Sequence, residues 1–148
     1  MQLPLPTEDD RANALLVYVL SIFSGFLAPL IFFLVKKDSV FVKFHALQAL
    51  IFHAVWLGFS IVAMTVLFIS MAFLIPDPHS GQTNVAPPLA FFGIFGSVWL
   101  LMMGGWLLNL VLGIVFAIKA NQGEWARYPL IGNLALRGAM PPRPISLW

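Results

Sequence analysis

Phe44–Ile75 reads FHALQALIFHAVWLGFSIVAMTVLFISMAFLI, 32 residues without a single Lys, Arg, Asp or Glu. An apolar run longer than about 18 residues is the mark of a helix that crosses a bilayer. One this long must tilt or project beyond a hydrocarbon core of about 30 Å. Two flanking stretches, 13–35 and 89–118, are equally free of charge. The expected fold is an all-α membrane protein in one membrane domain, with three transmembrane helices (about 13–35, 44–75 and 89–118) and a short interfacial C-terminal segment over about 120–138.

Composition argues the same way. Of 148 residues 60% are apolar and 9% charged, against about 45–50% and about 25% in a soluble domain. A globule of this size buries only about 70% of its extended surface, so in water the excess would lie exposed. The absence of cysteine excludes a disulfide scaffold, a thiolate metal site and a cysteine nucleophile. A net charge of +2 is too small for a nucleic-acid binder.

Thr7 followed by Glu8, Asp9 and Asp10 reads as a helix N-cap with acids in the first turn. It is unlike the basic start of a secretory signal. Pro29 falls inside the first span and is expected to kink it. Lys36-Lys37-Asp38-Ser39 makes a tight polar turn to the second span, and the proline-rich 76–88 connects the second to the third. With three crossings, the N-terminus and the 76–88 loop share one side, with Arg11 against Glu8, Asp9, Asp10 and Asp77. The other side holds Lys36, Lys37, Lys43, Lys119, Arg127, Arg137 and Arg143 against Asp38 and Glu124. The excess of basic residues makes the second side cytoplasmic. The expected location is a bacterial cytoplasmic membrane, with the N-terminus outside and the C-terminus inside. Lys36, Lys37, Lys43 and Arg127 are candidates for lipid-headgroup contact, with anionic lipids as partners.

At 100° per residue, His45, Ala49, Phe52, His53, Trp56, Ser60, Ala63, Leu67 and Ser70 share one face of the second helix. Polar groups inside a span face protein or a cavity rather than lipid. One reading is packing between helices; the other makes His53, and less readily His45, a tetrapyrrole ligand in contact with chlorophyll or haem. The sequence requires no cofactor and suggests no metal site. Gly105, Asn109, Gly113 and Ala117 recur every four residues in the third helix, and Ser21, Gly25 and Ala28 form a weaker seam in the first. Small residues at that spacing let helices approach closely, within the chain or with other transmembrane subunits. His53 and Asn109 fall at comparable depth and are expected to share a hydrogen bond or a bridging water. His45, nearer the edge, is expected to meet the tail around Glu124 and Tyr128. Neither HExxH nor GxSxG nor a phosphate-cradling glycine loop occurs, and no span carries a carboxylate, so no enzyme is expected.

Lys43-Phe44-His45-Ala46-Leu47-Gln48-Ala49-Leu50 after a basic turn, and Lys119-Ala120-Asn121-Gln122-Gly123-Glu124 leading to Arg127-Tyr128-Pro129-Leu130-Ile131-Gly132, resemble the signatures of a bacterial family of small polytopic membrane proteins. That family is similar to the chloroplast inner-envelope protein-import components. The resemblance covers roughly 15–134 and implies a translocation or channel role. Both motifs lie at the cytoplasmic edge, where His45, Gln48, Glu124, Pro129 and Gly132 form a lock that pins the tail, with Glu124 accepting an imidazole proton. The function expected first is that of a non-catalytic accessory or assembly subunit of a larger respiratory or photosynthetic membrane complex; the import-type role is the alternative.

Overall fold

The computed structural model describes residues 3–74, 89–129 and 131–140. The 76–88 loop with His79, Leu130, and the 141–144 proline segment lie outside them. Five helices follow in order: α1 (Glu8–Ser24), α2 (Leu27–Val35), α3 (Val40–Leu74), α4 (Leu89–Asn121) and α5 (Gly132–Ala139). Two of them are long and apolar enough to cross a membrane, Val40–Phe73 and Leu89–Asn121.

The first apolar stretch is not one span. It breaks at Gly25, whose φ of 60° and ψ of −125° end α1, and α2 begins two residues later. Pro29 causes the break rather than a kink. Its ring has no N–H for the carbonyl four residues earlier and collides with it, and that carbonyl belongs to Gly25. In the first turn of a new helix the missing N–H costs nothing. The Ser24 hydroxyl completes the junction: it donates to the Leu20 carbonyl at 2.8 Å and accepts from the Ala28 N–H at 3.2 Å.

The chain then returns to where it started. Asp9 at the head of α1 pairs with Lys36 after α2 at 3.3 Å. Farther along, Tyr18 meets His45, and a Cβ at Gly25 would lie 3.9 Å from the His53 ring. So α1 runs parallel to the start of α3, and α2 folds back against α1. The first apolar stretch, expected as one span over 13–35, is therefore corrected to a hairpin with both feet at one end, and two of the described helices have spanning length. Arg11 also packs there, its Cδ 3.3 Å from where a Gly123 Cβ would sit, beyond the C-terminus of α4.

Local chemistry fixes the ends of these elements. Thr7 and Asp10 form a reciprocal capping box. Partial burial raises the Asp10 carboxyl, but hydrogen bonds from Ser39 and Thr7 and the charge of Lys36 outweigh it and hold the pKa below the ordinary carboxylate value. The Ser39 hydroxyl accepts from the Val42 N–H at the start of α3. At the end of α4, Gly123 (φ 82°) closes a Schellman motif: Gly123 N–H donates to Ala120 O and Glu124 N–H to Lys119 O, both at 3.0 Å.

Contacts divide the chain into two units, Met1–Val55 with Asn109–Trp148, and Trp56–Leu108. The first has a core of Ala14, Val17, Tyr18, Phe41, Val42, Ala46, Ala49, Phe116, Ala117, Ala120 and Tyr128. Five of these are alanines. Lipid supplies no hydrophobic force between helices, so close backbone approach through small residues must provide the packing. Helix α5 lays Ala135 and Ala139 against Phe44, Leu47 and Ile51. In the second unit only Leu67 is buried among the described residues. The Trp56 ring occupies the space a Gly105 side chain would need. Ser60, Thr65, Ser70 and Ser97 donate to carbonyls four residues back in their own helices. These hydroxyls satisfy themselves and do not bridge helices.

Because the Gly25 backbone lies where L side chains are strained, Gly25→Ala is expected to lower unfolding stability in detergent by about 1–3 kcal/mol. Gly96→Ala, in a helix with open space around it, is expected not to lower it. Paired thermal melts of the two variants check this.

Candidate functional site: a buried polar junction

In the first unit, α3 carries two polar side chains with no exposure at all, His45 and Gln48. A buried amide costs about 1–3 kcal/mol for each group left unpaired. Gln48 leaves none. Its Nε2 donates to the Tyr18 hydroxyl at 3.0 Å and to the Ala126 carbonyl at 3.2 Å, and its Oε1 accepts the Tyr128 N–H at 2.9 Å. One side chain of α3 thereby holds α1 and the segment after α4 together.

Tyr18 extends the chain of bonds. Its hydroxyl accepts from Gln48, so its hydrogen goes to His45 Nδ1 at 3.0 Å. This polarity assigns the neutral imidazole its hydrogen on Nε2, which lies by the Glu124 backbone without meeting full hydrogen-bond geometry. Aromatic edges enclose the ring: Phe41 at 4.5 Å, Phe44 at 4.9 Å and Tyr18 at 5.6 Å between centroids. Trp125 in turn caps Phe41 at 5.0 Å. Tyr128 packs edge-on to Phe116 at 4.0 Å and Phe52 at 5.5 Å. Burial pushes its phenol well above the ordinary range.

The other singled-out residues fall as follows. The Glu124 carboxylate does not face His45; it pairs with Lys119 at 3.1 Å, because the Schellman turn points it back along α4. Pro129 is exposed and Gly132 buried. A Cβ at Gly132 would collide with Arg127, and its N–H closes a turn onto Tyr128 O at 2.9 Å. Arg127 itself donates to Asn133 at 3.1 Å, Lys37 is exposed, and Lys43 is half-buried.

His53 and Asn109 share no hydrogen bond. The His53 Nδ1–H donates to the Ala49 carbonyl of its own helix at 2.8 Å, and Nε2 is buried without a partner. The seam of α4 meets α1, where a Gly113 side chain would touch Ile22 at 3.2 Å. Ser21 and Ala28 are buried in the hairpin, with the Ser21 hydroxyl on Tyr18 O at 2.8 Å. A shallow apolar groove of about 180 Å³ runs between Phe52, Leu112, Tyr128 and Ile131, smaller than the roughly 300 Å³ at which ordinary small-molecule sites begin. Among the described residues no group of three His, Cys, Asp or Glu could hold a metal ion.

Reasoning from sequence missed Tyr18. A lone tyrosine amid leucines and valines was readable as lipid-facing; its signal is that both tyrosines of the chain belong to the junction. If the junction works as described, Gln48→Leu orphans the buried Tyr128 N–H and Tyr18→Phe orphans His45 Nδ1, each costing about 1–3 kcal/mol. The double variant is expected to lose less than the sum, because the two share the Tyr18 hydroxyl. Unfolding in detergent, with limited proteolysis of the 125–140 segment, provides the measurement.

The sequence model of a family described as the magnetosome magnetite crystal formation protein family, MamF/MmsF, matches residues 9–135. The UPF0132 membrane protein MJ1443 of Methanocaldococcus jannaschii is 30% identical over 128 residues, covering 86% of each chain. No solved structure matches. These findings overturn the resemblance to chloroplast import components, and with it the translocation or channel role. They equally displace the respiratory or photosynthetic accessory subunit. The matched segment runs from the head of α1 to α5 and so takes in the whole junction: this chain belongs to the MamF/MmsF magnetosome magnetite crystal formation family.

Proposed function

We propose that the chain is a non-catalytic integral membrane protein, acting in the membrane that surrounds the crystal-forming chemistry for which its family is described. It holds its N-terminus, both hairpin feet and its tail on the cytoplasmic face of that membrane. The observation that carries this reading is the family match over 9–135, on a fold whose buried Gln48 and Tyr18 bond to backbone, to each other and to His45. The relative from Methanocaldococcus jannaschii is described only as a membrane protein, which fits a role in the membrane more closely than one in handling mineral. The reading needs no cofactor. Its partners are lipids and other transmembrane proteins, not nucleic acid.

Charge supports the orientation. With the N-terminus beside the tail, all eight Lys and Arg fall in the segments 1–55 and 109–148, and 56–108 contains none. Eight to none is a steeper bias than three crossings allow, and the basic side is the cytoplasmic one. Two crossings by α3 and α4 then place both ends of the chain there.

The cysteine-free sequence makes this directly testable. In a bacterium without internal vesicles, where the chain inserts into the cytoplasmic membrane, single Glu8→Cys and Lys37→Cys variants are both expected to resist a membrane-impermeant maleimide added to intact cells and to react once the cells are opened; Ser80→Cys reacts from outside. Labelling of Glu8→Cys from outside, with Lys37→Cys protected, overturns the topology. For the role, expression in a magnetite-forming bacterium lacking its own family member is expected to restore crystal size. Unrestored crystals, with the protein present in the membrane, overturn it.

A further inference from the structure

The α1–α2 hairpin is polar at its feet and apolar on the outside above them, apart from Ser24, whose hydroxyl is bonded to its own backbone. At its tip Phe23 is 86% exposed, Phe26 54% and Leu27 52%, and Leu16, Leu20, Ile31, Leu34 and Val35 continue the apolar surface down both helices. At its base stand the Thr7–Asp10 capping box, the Asp9–Lys36 ion pair and Lys37. Three aromatic and aliphatic side chains bared on a two-residue reversal would be an aggregation hazard in water. They require an apolar medium beyond the tip.

Reach decides which medium. Fifteen residues separate Asp10 from Gly25, or about 22 Å of helix. A hydrocarbon core is about 30 Å thick. From feet held at the water edge of a headgroup layer about 5–7 Å thick, the tip ends in acyl chains near the middle of the core, within the leaflet it enters. The feet carry both signs of charge, Arg11, Lys36, Lys37 and nearby Lys43 against Glu8, Asp9, Asp10 and Asp38, and belong at headgroup level rather than in the acyl chains.

We propose that the α1–α2 hairpin is an insert into the cytoplasmic leaflet whose occupied surface is lipid acyl chain, and that it makes the protein select membranes in which that leaflet is convex. Two helices, each about 10 Å across, add roughly 150 Å² to the entered leaflet and little to the opposite one. A leaflet expanded on one side is relaxed by curvature toward that side, and an insert confined to one leaflet expands only that one. The cytosol-facing leaflet of a small internal vesicle is its convex one. The inference rests on the topology above and goes beyond it, since a hairpin could enter the leaflet without any curvature preference.

Reconstitution of the full chain tests it. Purified Glu8→Cys protein is incorporated into phosphatidylethanolamine/phosphatidylglycerol vesicles of about 25 nm and about 200 nm radius, and the outward fraction is read with impermeant maleimide. The outer leaflet of a small vesicle is strongly convex, so the outward-to-inward ratio is expected to be about threefold or more higher in the small vesicles. Phe23→Asn with Phe26→Asn is expected to abolish the difference. Equal ratios in both vesicle sizes overturn the curvature preference while leaving the topology intact. Because the polar-tip variant is open to misfolding, depth is measured separately, with an environment-sensitive fluorophore on Phe23→Cys. Quenching by lipids spin-labelled on the acyl chain is expected. Quenching by aqueous iodide overturns insertion, and protection from both quenchers shows instead that a second protein copy covers the tip.

Discussion

A proline ring at position 29 denies the Gly25 carbonyl its helical partner, and a glycine at 25 lets the backbone take a conformation closed to other residues. Together these two neighbours turn an apolar stretch of spanning length into two helices of 17 and 9 residues. Everything at the polar end of the molecule depends on that reversal. Because α1 returns, Asp9 reaches Lys36. Because α1 runs beside α3, Tyr18 reaches His45 and Gln48. A straight helix over the same residues would carry the segment after Val35 to the other side of the membrane and separate all of these groups.

The junction illustrates how a low-dielectric interior disciplines polar groups. Each bond there is electrostatically stronger than in water, and each omission costs more. Gln48 is suited to the centre because an amide has both donors and an acceptor, and here two donors and one acceptor are used on three separate partners. A glutamate would lack the donors, and a leucine would strand the Tyr128 N–H. The surrounding rings exclude water, so the same shell that strengthens the bonds makes them hard to replace. The family match over residues 9–135 takes in every residue of this assembly.

Much of the architecture was legible. Length and hydropathy mark α3 and α4, and the Thr7 cap announces α1. Helical spacing singles out one face of α3: beyond residue 54, the described side chains that are not exposed are Trp56, Ser60, Ala63, Leu67 and Ser70. The hairpin was not legible, for a physical reason. Hydropathy is the same for a helix that crosses a leaflet pair and for two that enter one leaflet, and a proline reads equally as a kink or as a first-turn residue. Position along the chain does not distinguish them; only the meeting of Asp9 with Lys36 does. Likewise His45 and Gln48 are visible as polar residues at a helix start, but hydrogen-bond partners 27, 30 and 80 residues away are set by tertiary packing. Glu124 was the obvious charged acceptor, yet the left-handed Gly123 commits its side chain to Lys119.

The distribution of charge and the distribution of burial now have one explanation. In Trp56–Leu108 there is no Lys or Arg, hydroxyls are capped by their own helices, and apolar side chains face outward. Such helices are solvated by acyl chains and need few contacts of their own. The remaining segments carry every basic residue, the buried polar groups and the small-residue packing. There the molecule must meet headgroups, water and its own backbone at once, and the buried junction keeps water from its hydrogen bonds. Stability concentrated where water is near, and a sparse pair of helices where it is absent, is what a bilayer with a wet face and a dry centre selects.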